Sequence, residues 1–222
     1  MKKIGIIILV LSSLIFLSSC GQKTSSDAVK FKKEYEKYNG QKDSKGNHYP
    51  KLEISKNNIV EYIDAKEALN ILNSKTGIIY MGFPTCPWCR NALPVLLDAA
   101  KESNLAKIYY LDVENIRDEK KLEKDGKIKT IKEGTKEYQD LLVRMYDFLN
   151  PYEDLQDISI KRIYVPLIVS VKDGKILKTH MSTVDSQSNP YEKMTEEQKK
   201  ELKKIYVDMM KDVKDGICDE AC

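Results

Sequence analysis

Residues 77–89 have the sequence GIIYMGFPTCPWC, an uncharged apolar run that ends in two cysteines, Cys86 and Cys89. A continuous apolar run of this length is typical of a strand buried on both faces of a sheet. Residues 90–103 follow with apolar side chains on one helical face, and residues 107–112 are predicted to form another strand. The stretch therefore predicts a βαβ unit with parallel strands, and it places the paired cysteines at the turn into the helix.

This position predicts different chemical roles for the two cysteines. At the start of a helix, unpaired backbone N–H groups and the positive end of the helix dipole favour the thiolate of Cys86 over its thiol. Cys89, one turn later, can attack a mixed disulfide on Cys86, release the partner and close the Cys86–Cys89 bond. We therefore predict that Cys86 is the nucleophile and Cys89 the resolving thiol. Two alternatives stay open: a permanent structural disulfide, and half of a zinc site completed by Cys218 and Cys222.

Outside this unit, the sequence predicts an edge strand and a helix before it, a two-stranded hairpin after it, and a final helix. These elements are residues 58–64, 65–74, 164–171 paired with 176–178, and 195–213, with an Asp-Gly turn at 173–174 and a capping box at 195–198. Residues 113–163, just before the hairpin, show no obvious strand until their end. They contain an amphipathic pattern from Tyr138 to Leu149, so this segment is predicted to be a helical insertion.

The sequence resembles the thioredoxin fold family in three features that occur in the family's order. Besides the Cys-Pro-Trp-Cys turn, Pro94 lies eight residues after Cys86, where thioredoxins have a proline in the active-site helix. Val165-Pro166, ahead of a strand, matches the family's cis-proline loop, which packs beside the cysteine pair. The resemblance covers about residues 58–213. It implies an α/β, thioredoxin-like fold with a central mixed sheet flanked by helices, and a thiol–disulfide oxidoreductase that acts on protein cysteines without a cofactor.

The resemblance also implies roles for individual residues. Val165, with Pro166, would offer its backbone N–H and C=O to an extended substrate peptide, and Trp88 would contact the substrate beside Cys86. The chain departs from the family in two places. Thioredoxins have a buried acid where this chain has Tyr80, and the insertion before the cis-proline loop is similar to that of the disulfide-forming DsbA-type proteins. The direction of electron flow stays open, with an oxidase or isomerase slightly favoured over a reductase.

The chain begins with two lysines, a fourteen-residue apolar run and a small-residue stretch that ends at Cys20. This pattern predicts an export signal, because the run is shorter than the roughly 20 residues of a membrane span. The stretch resembles the lipobox of bacterial lipoproteins. That resemblance implies a signal peptide at residues 1–19 and a lipidated Cys20 that anchors the protein to the outer face of the cytoplasmic membrane. With the Pro-Trp dipeptide, the leader is similar to those of Gram-positive thioredoxin-like lipoproteins and bacteriocin-transport accessory proteins. An uncleaved signal anchor is the alternative.

The two ends of the mature chain are predicted to lie outside the main fold. Residues 20–56 are predicted to be the lipidated cysteine, a polar tether and a helical appendage, and residues 57–222 the thioredoxin-like domain. The tail at residues 216–222 carries Cys218 and Cys222. In an exported protein these two cysteines can form a local disulfide, or a second redox pair that exchanges electrons with Cys86 and Cys89.

Composition excludes several classes of function. The chain has 37 Lys and Arg against 34 Asp and Glu, a net charge of +3, which argues against a nucleic-acid partner. Two histidines cannot build a metal site based mainly on imidazole. The expected partners are protein thiols and disulfides and a membrane or extracytoplasmic redox protein. The alternatives are a non-catalytic binding or accessory lipoprotein with structural disulfides, and metal handling through Cys86 and Cys89.

Overall fold

The computed structural model describes residues 25–213, which form a mixed five-stranded sheet with helices on both faces and a separate two-stranded hairpin. The helices are α1 (Ser26–Glu36), α2 (Ala65–Ser74), α3 (Pro87–Glu102), α4 (Lys136–Arg144) and α5 (Glu196–Met210). The strands are β1 (Val60–Tyr62), β2 (Gly77–Gly82), β3 (Ile108–Asp112), β4 (Glu119–Leu122), β5 (Ile128–Lys132), β6 (Leu167–Lys172) and β7 (Lys175–Met181). The predicted α/β class, with a mixed sheet flanked by helices, is confirmed.

The strand β2 lies at the centre of the sheet, whose strand order is β1-β3-β2-β6-β7. All six of its residues are buried, as its apolar sequence predicts. It pairs in parallel with β3 and antiparallel with β6, so that Gly82 lies opposite Asp112 and Met81 opposite Leu167. The ends of β2 and β3 and the start of β6 therefore meet at one edge of the sheet, where the cysteine turn begins.

Two apolar cores lie on opposite faces of this sheet. Because successive side chains of a strand point to opposite faces, Ile78 and Tyr80 enter one core while Ile79 and Met81 enter the other. The first core also contains side chains of α1, α3 and α5, and the second contains side chains of α2 and α4. Burial of β2 on both faces explains why its sequence has no alternation of polar and apolar residues.

Local signals in the sequence fix the last hairpin and the last helix. Asp173 and Gly174, with φ of 49° and 72°, form the tight turn between β6 and β7, and an Asp-Gly pair tolerates this left-handed backbone well. Thr195 caps α5 by accepting from the backbone N–H of Gln198, whose side chain accepts from the N–H of Thr195 in return. Both predictions are confirmed.

The prediction that residues 113–163 form a helical insertion is wrong in part. The segment contains the antiparallel hairpin of β4 and β5, and the predicted helix ends at Arg144, where a 3₁₀ turn (Tyr146–Phe148) follows. The hairpin is a separate two-stranded sheet whose residues are exposed or half-buried. A strand with no buried face has no alternation of polar and apolar residues, so the sequence pattern could not show it.

The N-terminal helix is part of the main fold, so the prediction of a helical appendage is wrong. Phe31 and Tyr35 of α1 are fully buried in the same core as Ile78 of β2. Leu52 and Ile54, in the extended segment after α1, belong to that core as well. The apolar stripe on α1 was correctly identified, but a stripe does not show whether it packs on the same domain or on a separate partner.

Three predictions fall on parts of the chain outside the described residues: the signal peptide at residues 1–19, the lipidated Cys20, and the pair Cys218 and Cys222. No helix within residues 25–213 has both the length and the apolar character that a bilayer crossing requires.

Candidate active site

The Cys86 side chain caps the N-terminus of α3. Its Sγ accepts a hydrogen bond from the backbone N–H of Cys89 at 3.2 Å, and its S–H points to the carbonyl oxygen of Val165 at 3.6 Å. Pro87 occupies the first turn, where the missing N–H of a proline removes no helical hydrogen bond. Cys86 is only 6% exposed and belongs to the second core, at the end of the sheet where β2 and β3 finish.

Burial opposes ionisation of Cys86 most strongly. Hydrogen bonds from the Cys89 thiol and from the amides of Cys89 and Trp88, together with the charge of Arg117, outweigh this effect and lower the pKa of the Cys86 thiol. Donors that point at the sulfur stabilise the thiolate but gain little from the neutral thiol. Cys86 is therefore the more acidic of the two cysteines.

Cys89 lies one turn into α3 and is fully buried. Burial and the interaction with Cys86 raise the pKa of the Cys89 thiol well above its ordinary value, while the Tyr80 hydroxyl acts in the opposite direction. Both residues are thiols in this structure rather than a disulfide. The pair therefore combines one thiol prepared to ionise with a second that stays protonated while its neighbour is charged.

The loop that precedes β6 lies against this pair. The Val165–Pro166 peptide bond is cis, as the resemblance implies, and the Val165 carbonyl is the group that faces Cys86. The Pro166 carbonyl accepts from the N–H of Ser182 at 2.8 Å, which holds the loop to the end of β7. Trp88 is half-buried and packs at the margin of the second core. Val165 and Pro166, predicted from distant parts of the sequence, thus lie at the cysteine turn.

The sequence matches no protein-family model and no curated protein. Within residues 25–213, no three His, Cys, Asp or Glu side chains are grouped closely enough to hold a metal ion. The functional assignment therefore depends on the geometry around Cys86.

Tyr80 lies in the core beside Cys89, and its hydroxyl forms a hydrogen bond of 2.7 Å with the hydroxyl of Tyr35. The partner of the Tyr80 hydroxyl therefore comes from α1, 45 residues away in the chain. Burial raises the pKa of both phenols well above their ordinary value, so both remain protonated. Tyr110 packs on Tyr80 with ring centroids 5.3 Å apart, and its hydroxyl lies 3.5 Å from the carboxylate of Asp112.

Arg90, directly after the cysteine turn, is a buried cation that was not predicted from the sequence. It is 1% exposed, and no carboxylate forms an ion pair with it among residues 25–213. Its guanidinium instead donates to three carbonyl groups and one side-chain oxygen: Tyr35 O at 2.7 Å, Pro50 O at 2.8 Å, Pro84 O at 3.1 Å and Asn39 Oδ1 at 2.7 Å. Arg90 therefore joins α1 and the loop after it to the turn that carries Cys86. Its place on the same helical face as Leu93 was a signal for this burial.

The loop after β3 forms a second wall of the turn. Thr85 Oγ1 donates to the carboxylate of Glu114 at 2.7 Å, and the guanidinium of Arg117 lies over the ring of Phe83, 4.7 Å from its centroid. A run of mixed charges such as residues 117–125 is usually solvated, but Arg117 is half-buried, and its charge acts on Cys86.

Proposed function

We propose that this protein is a thioredoxin-like thiol–disulfide oxidoreductase that acts on protein cysteines through Cys86 and Cys89. The observation that supports this proposal best is the position of the Cys86 sulfur. It caps a helix, accepts a backbone N–H, and faces the Val165 carbonyl, with a second thiol one helical turn away. The central β2–β3 parallel pair, the antiparallel strands β6 and β7, and helices on both faces support the thioredoxin-like part of the proposal.

The proposed reaction has two exchange steps. The Cys86 thiolate attacks one sulfur of a substrate disulfide, forms a mixed disulfide, and releases the other substrate sulfur as a thiolate. The Cys89 thiol then loses its proton and attacks the Cys86 sulfur, which forms the Cys86–Cys89 disulfide and releases the second substrate sulfur. The substrate gains two electrons and the protein loses two. The reverse sequence donates a disulfide to a pair of substrate thiols.

The opposite pKa shifts of the two cysteines suit this order of events. The interaction with Cys86 is one cause of the raised pKa of Cys89. Once Cys86 is in a mixed disulfide, its negative charge is gone and this contribution disappears. Cys89 therefore ionises more readily at the step that needs its thiolate, and less readily before that step.

The Val165 carbonyl is the proposed binding point for the substrate backbone. With both cysteines as thiols, this oxygen faces the S–H of Cys86. When Cys86 ionises or forms a mixed disulfide, the sulfur has no proton to donate, and the carbonyl becomes available for an N–H of an extended peptide. Trp88, half-buried beside the turn, provides an apolar contact for the same peptide.

We extend the proposal to the location of the protein. A lipidated Cys20 would anchor it on the outer face of the cytoplasmic membrane, where disulfides persist and where a membrane or extracytoplasmic protein would exchange electrons with it. Cys218 and Cys222 would form either a local bridge or a second redox pair.

A redox titration tests the central claim. The chain without its first 20 residues is equilibrated in defined thiol–disulfide buffers, its thiols are trapped, and each cysteine is assigned by peptide mass spectrometry. A Cys86–Cys89 couple near thioredoxin's potential of about −270 mV would indicate a reductant, and one near about −120 mV a disulfide donor. If the oxidised pair stays closed under every native condition, the catalytic proposal is wrong and a non-catalytic binding lipoprotein is the better interpretation.

A further inference from the structure

The second exchange step requires a base for the proton of Cys89. Cys89 is fully buried, and burial and the interaction with Cys86 raise the pKa of its thiol, so bulk water does not take this proton directly. Hydrogen bonds from the Phe83 amide and from the Tyr80 hydroxyl act on this pKa in the opposite direction. The Tyr80 hydroxyl therefore provides a path by which the Cys89 proton can leave the core.

A glycine at position 82 makes room for the Tyr80 hydroxyl. Tyr80 and Gly82 are two residues apart in β2, so they share one face of the sheet. A Cβ added at Gly82 would lie 2.5 Å from the Tyr80 hydroxyl oxygen, which is closer than a real contact allows. The ring of Tyr80 therefore extends along β2 toward the end of the strand, where the cysteine turn begins.

A row of tyrosine hydroxyls continues from Tyr80 through the core. The Tyr35 hydroxyl of α1 lies 2.7 Å from that of Tyr80, and it is also hydrogen-bonded to the hydroxyl of Tyr110. Tyr110 lies opposite Tyr80 in the register of β2 and β3. All three phenols are fully buried, and burial raises the pKa of each. Each phenol therefore stays protonated, and it can accept a proton only by passing its own to the next group.

The row of hydroxyls ends at a carboxyl group, that of Asp112. The Tyr110 hydroxyl donates to Asp112 Oδ2 at 3.5 Å, and Asp112 lies opposite Gly82 in the same register. Burial, together with repulsion from Glu114 and Glu34, raises the pKa of this carboxyl group, which makes it a stronger proton acceptor. Asp112 is also partly exposed, so it can release a proton to water.

We propose that Asp112 accepts the proton that Cys89 loses in the second exchange step, and that the three phenols relay it. This inference rests on the proposed function. The proton passes from the thiol to Tyr80, then to Tyr35 and Tyr110, and finally to the carboxylate. Each phenol gains one proton and loses one, while Cys89 becomes a thiolate and Asp112 a carboxylic acid. The thiolate then attacks the mixed disulfide, and the carboxylic acid releases its proton to water.

Other titratable side chains surround the relay without being part of it. Tyr62 packs edge-on against Tyr110 with ring centroids 5.1 Å apart, but its hydroxyl donates to Glu34. Tyr62 is therefore a matched control for the tyrosines of the relay. The other titratable groups that face the two ends are Cys86 and Tyr206 near Cys89, and Glu34 and Glu114 near Asp112.

The test follows both exchange steps of the reduced full chain with less than one equivalent of dithiobis(nitrobenzoate). This symmetrical disulfide releases one coloured thiolate when Cys86 attacks it, and a second when Cys89 resolves the mixed disulfide. In Asp112→Asn and in Tyr80→Phe, we expect the second release to slow about a hundredfold at neutral pH, a usual contribution of a positioned acid or base. The first release should keep its wild-type rate, which also shows that the turn is folded. Tyr62→Phe should leave both releases unchanged.

The pH profile of the second release distinguishes a proton acceptor from a structural residue. In wild type, the rate should rise with pH through the raised pKa of Asp112 and then level off, because the relay needs the ionised carboxylate. In Asp112→Asn, the rate should keep rising toward the raised pKa of Cys89, because the thiol then loses its proton to solvent base. A slower second release with an unchanged profile would overturn the inference, since Asp112 would then only support the fold.

A second release at the wild-type rate in both Asp112→Asn and Tyr80→Phe would overturn the inference and leave the proposed function standing. Parallel slowing of both releases would also overturn it, since the two residues would then act on the whole turn. A Cys89→Ser chain tests the proposed function separately, because it should lack the second release. If wild type and Cys89→Ser gave the same trace, Cys89 would not resolve the mixed disulfide, and the proposed function would be wrong together with the relay.

Discussion

Two segments border the cysteine turn. Residues 25–56 do so through α1 and the loop after it. Residues 113–163 do so through the loop after β3, the hairpin and α4. In the first segment, buried side chains and backbone carbonyls connect to the turn through Tyr35, Asn39 and Pro50. In the second, the hairpin is exposed or half-buried and pairs with itself. Residues 25–56, whose sequence predicted an appendage, are therefore part of the core. Much of residues 113–163, predicted to lie within the domain, is at its periphery.

The largest effects are expected when each segment is removed in turn. A chain that begins at residue 57 should fail to fold, because it loses Phe31 and Tyr35 from the core and leaves Arg90 buried without most of its acceptors. Unfolding by urea, followed by near-UV circular dichroism, should show no cooperative transition.

The hairpin should tolerate removal. The N–H of Thr135 donates to the carbonyl of Ile116 at 2.9 Å, so the two ends of residues 117–134 are already close and a short Gly-Ser linker can join them. This variant should still unfold cooperatively. The comparison would be wrong if the hairpin deletion abolished folding and the N-terminal deletion did not.

Two arginines allow a finer comparison of the segments. Arg90→Met leaves three buried carbonyl groups and the half-buried Asn39 Oδ1 without their donor and should lower the free energy of unfolding by about 3 kcal/mol. Arg144→Met removes hydrogen bonds from α4 to Leu72 and Gly174, but Arg144 is half-exposed, so about 1 kcal/mol is expected. Urea denaturation of the two variants gives both values, and equal losses would contradict the stated difference between the segments.

Two tyrosines extend the comparison to single hydroxyl groups. Tyr35→Phe removes the hydrogen bond to Tyr80 in a fully buried environment and should cost about 1 kcal/mol of unfolding free energy. Tyr152→Phe removes the acceptor for the N–H of Lys120 at a half-buried position, so water can replace it and the loss should be smaller. Thermal unfolding of both variants checks this order, and the reverse order would count against it.

The smallest expected effect is on the pKa of Cys86 rather than on the stability of the fold. Arg117 stabilises the Cys86 thiolate, so Arg117→Gln should raise the pKa of Cys86. Alkylation by iodoacetamide follows the thiolate, so its rate rises with pH through the pKa, and the midpoint should move to higher pH in the variant. Lys129→Gln, on the exposed face of the hairpin, should leave the midpoint in place. A shift of equal size in both variants would show a general effect of net charge.

The sequence predicted the structure correctly where an element depends on a short stretch of neighbouring residues. The apolar run before Cys86 predicted a central strand, the Asp173-Gly174 pair predicted a turn, and Thr195 with Gln198 predicted a helix cap. The hairpin of β4 and β5 was missed because its strands have no buried face. Arg90 was missed because a charged residue at a helix start is usually solvated, and three of its four acceptors lie 40 to 55 residues away in the chain.

Periodicity and spacing over a few turns of chain were enough to predict the cysteine turn, the main-sheet strands and helices next to it, and the residues proposed to react. The packing of α1 in the core, the contact of Tyr35 with Tyr80 and the hydrogen bonds of Arg90 to α1 became visible in the three-dimensional fold alone. These contacts join residues that are far apart in sequence. Burial and the need to satisfy hydrogen bonds determine which residues make these contacts, and a local sequence pattern contains no information about them.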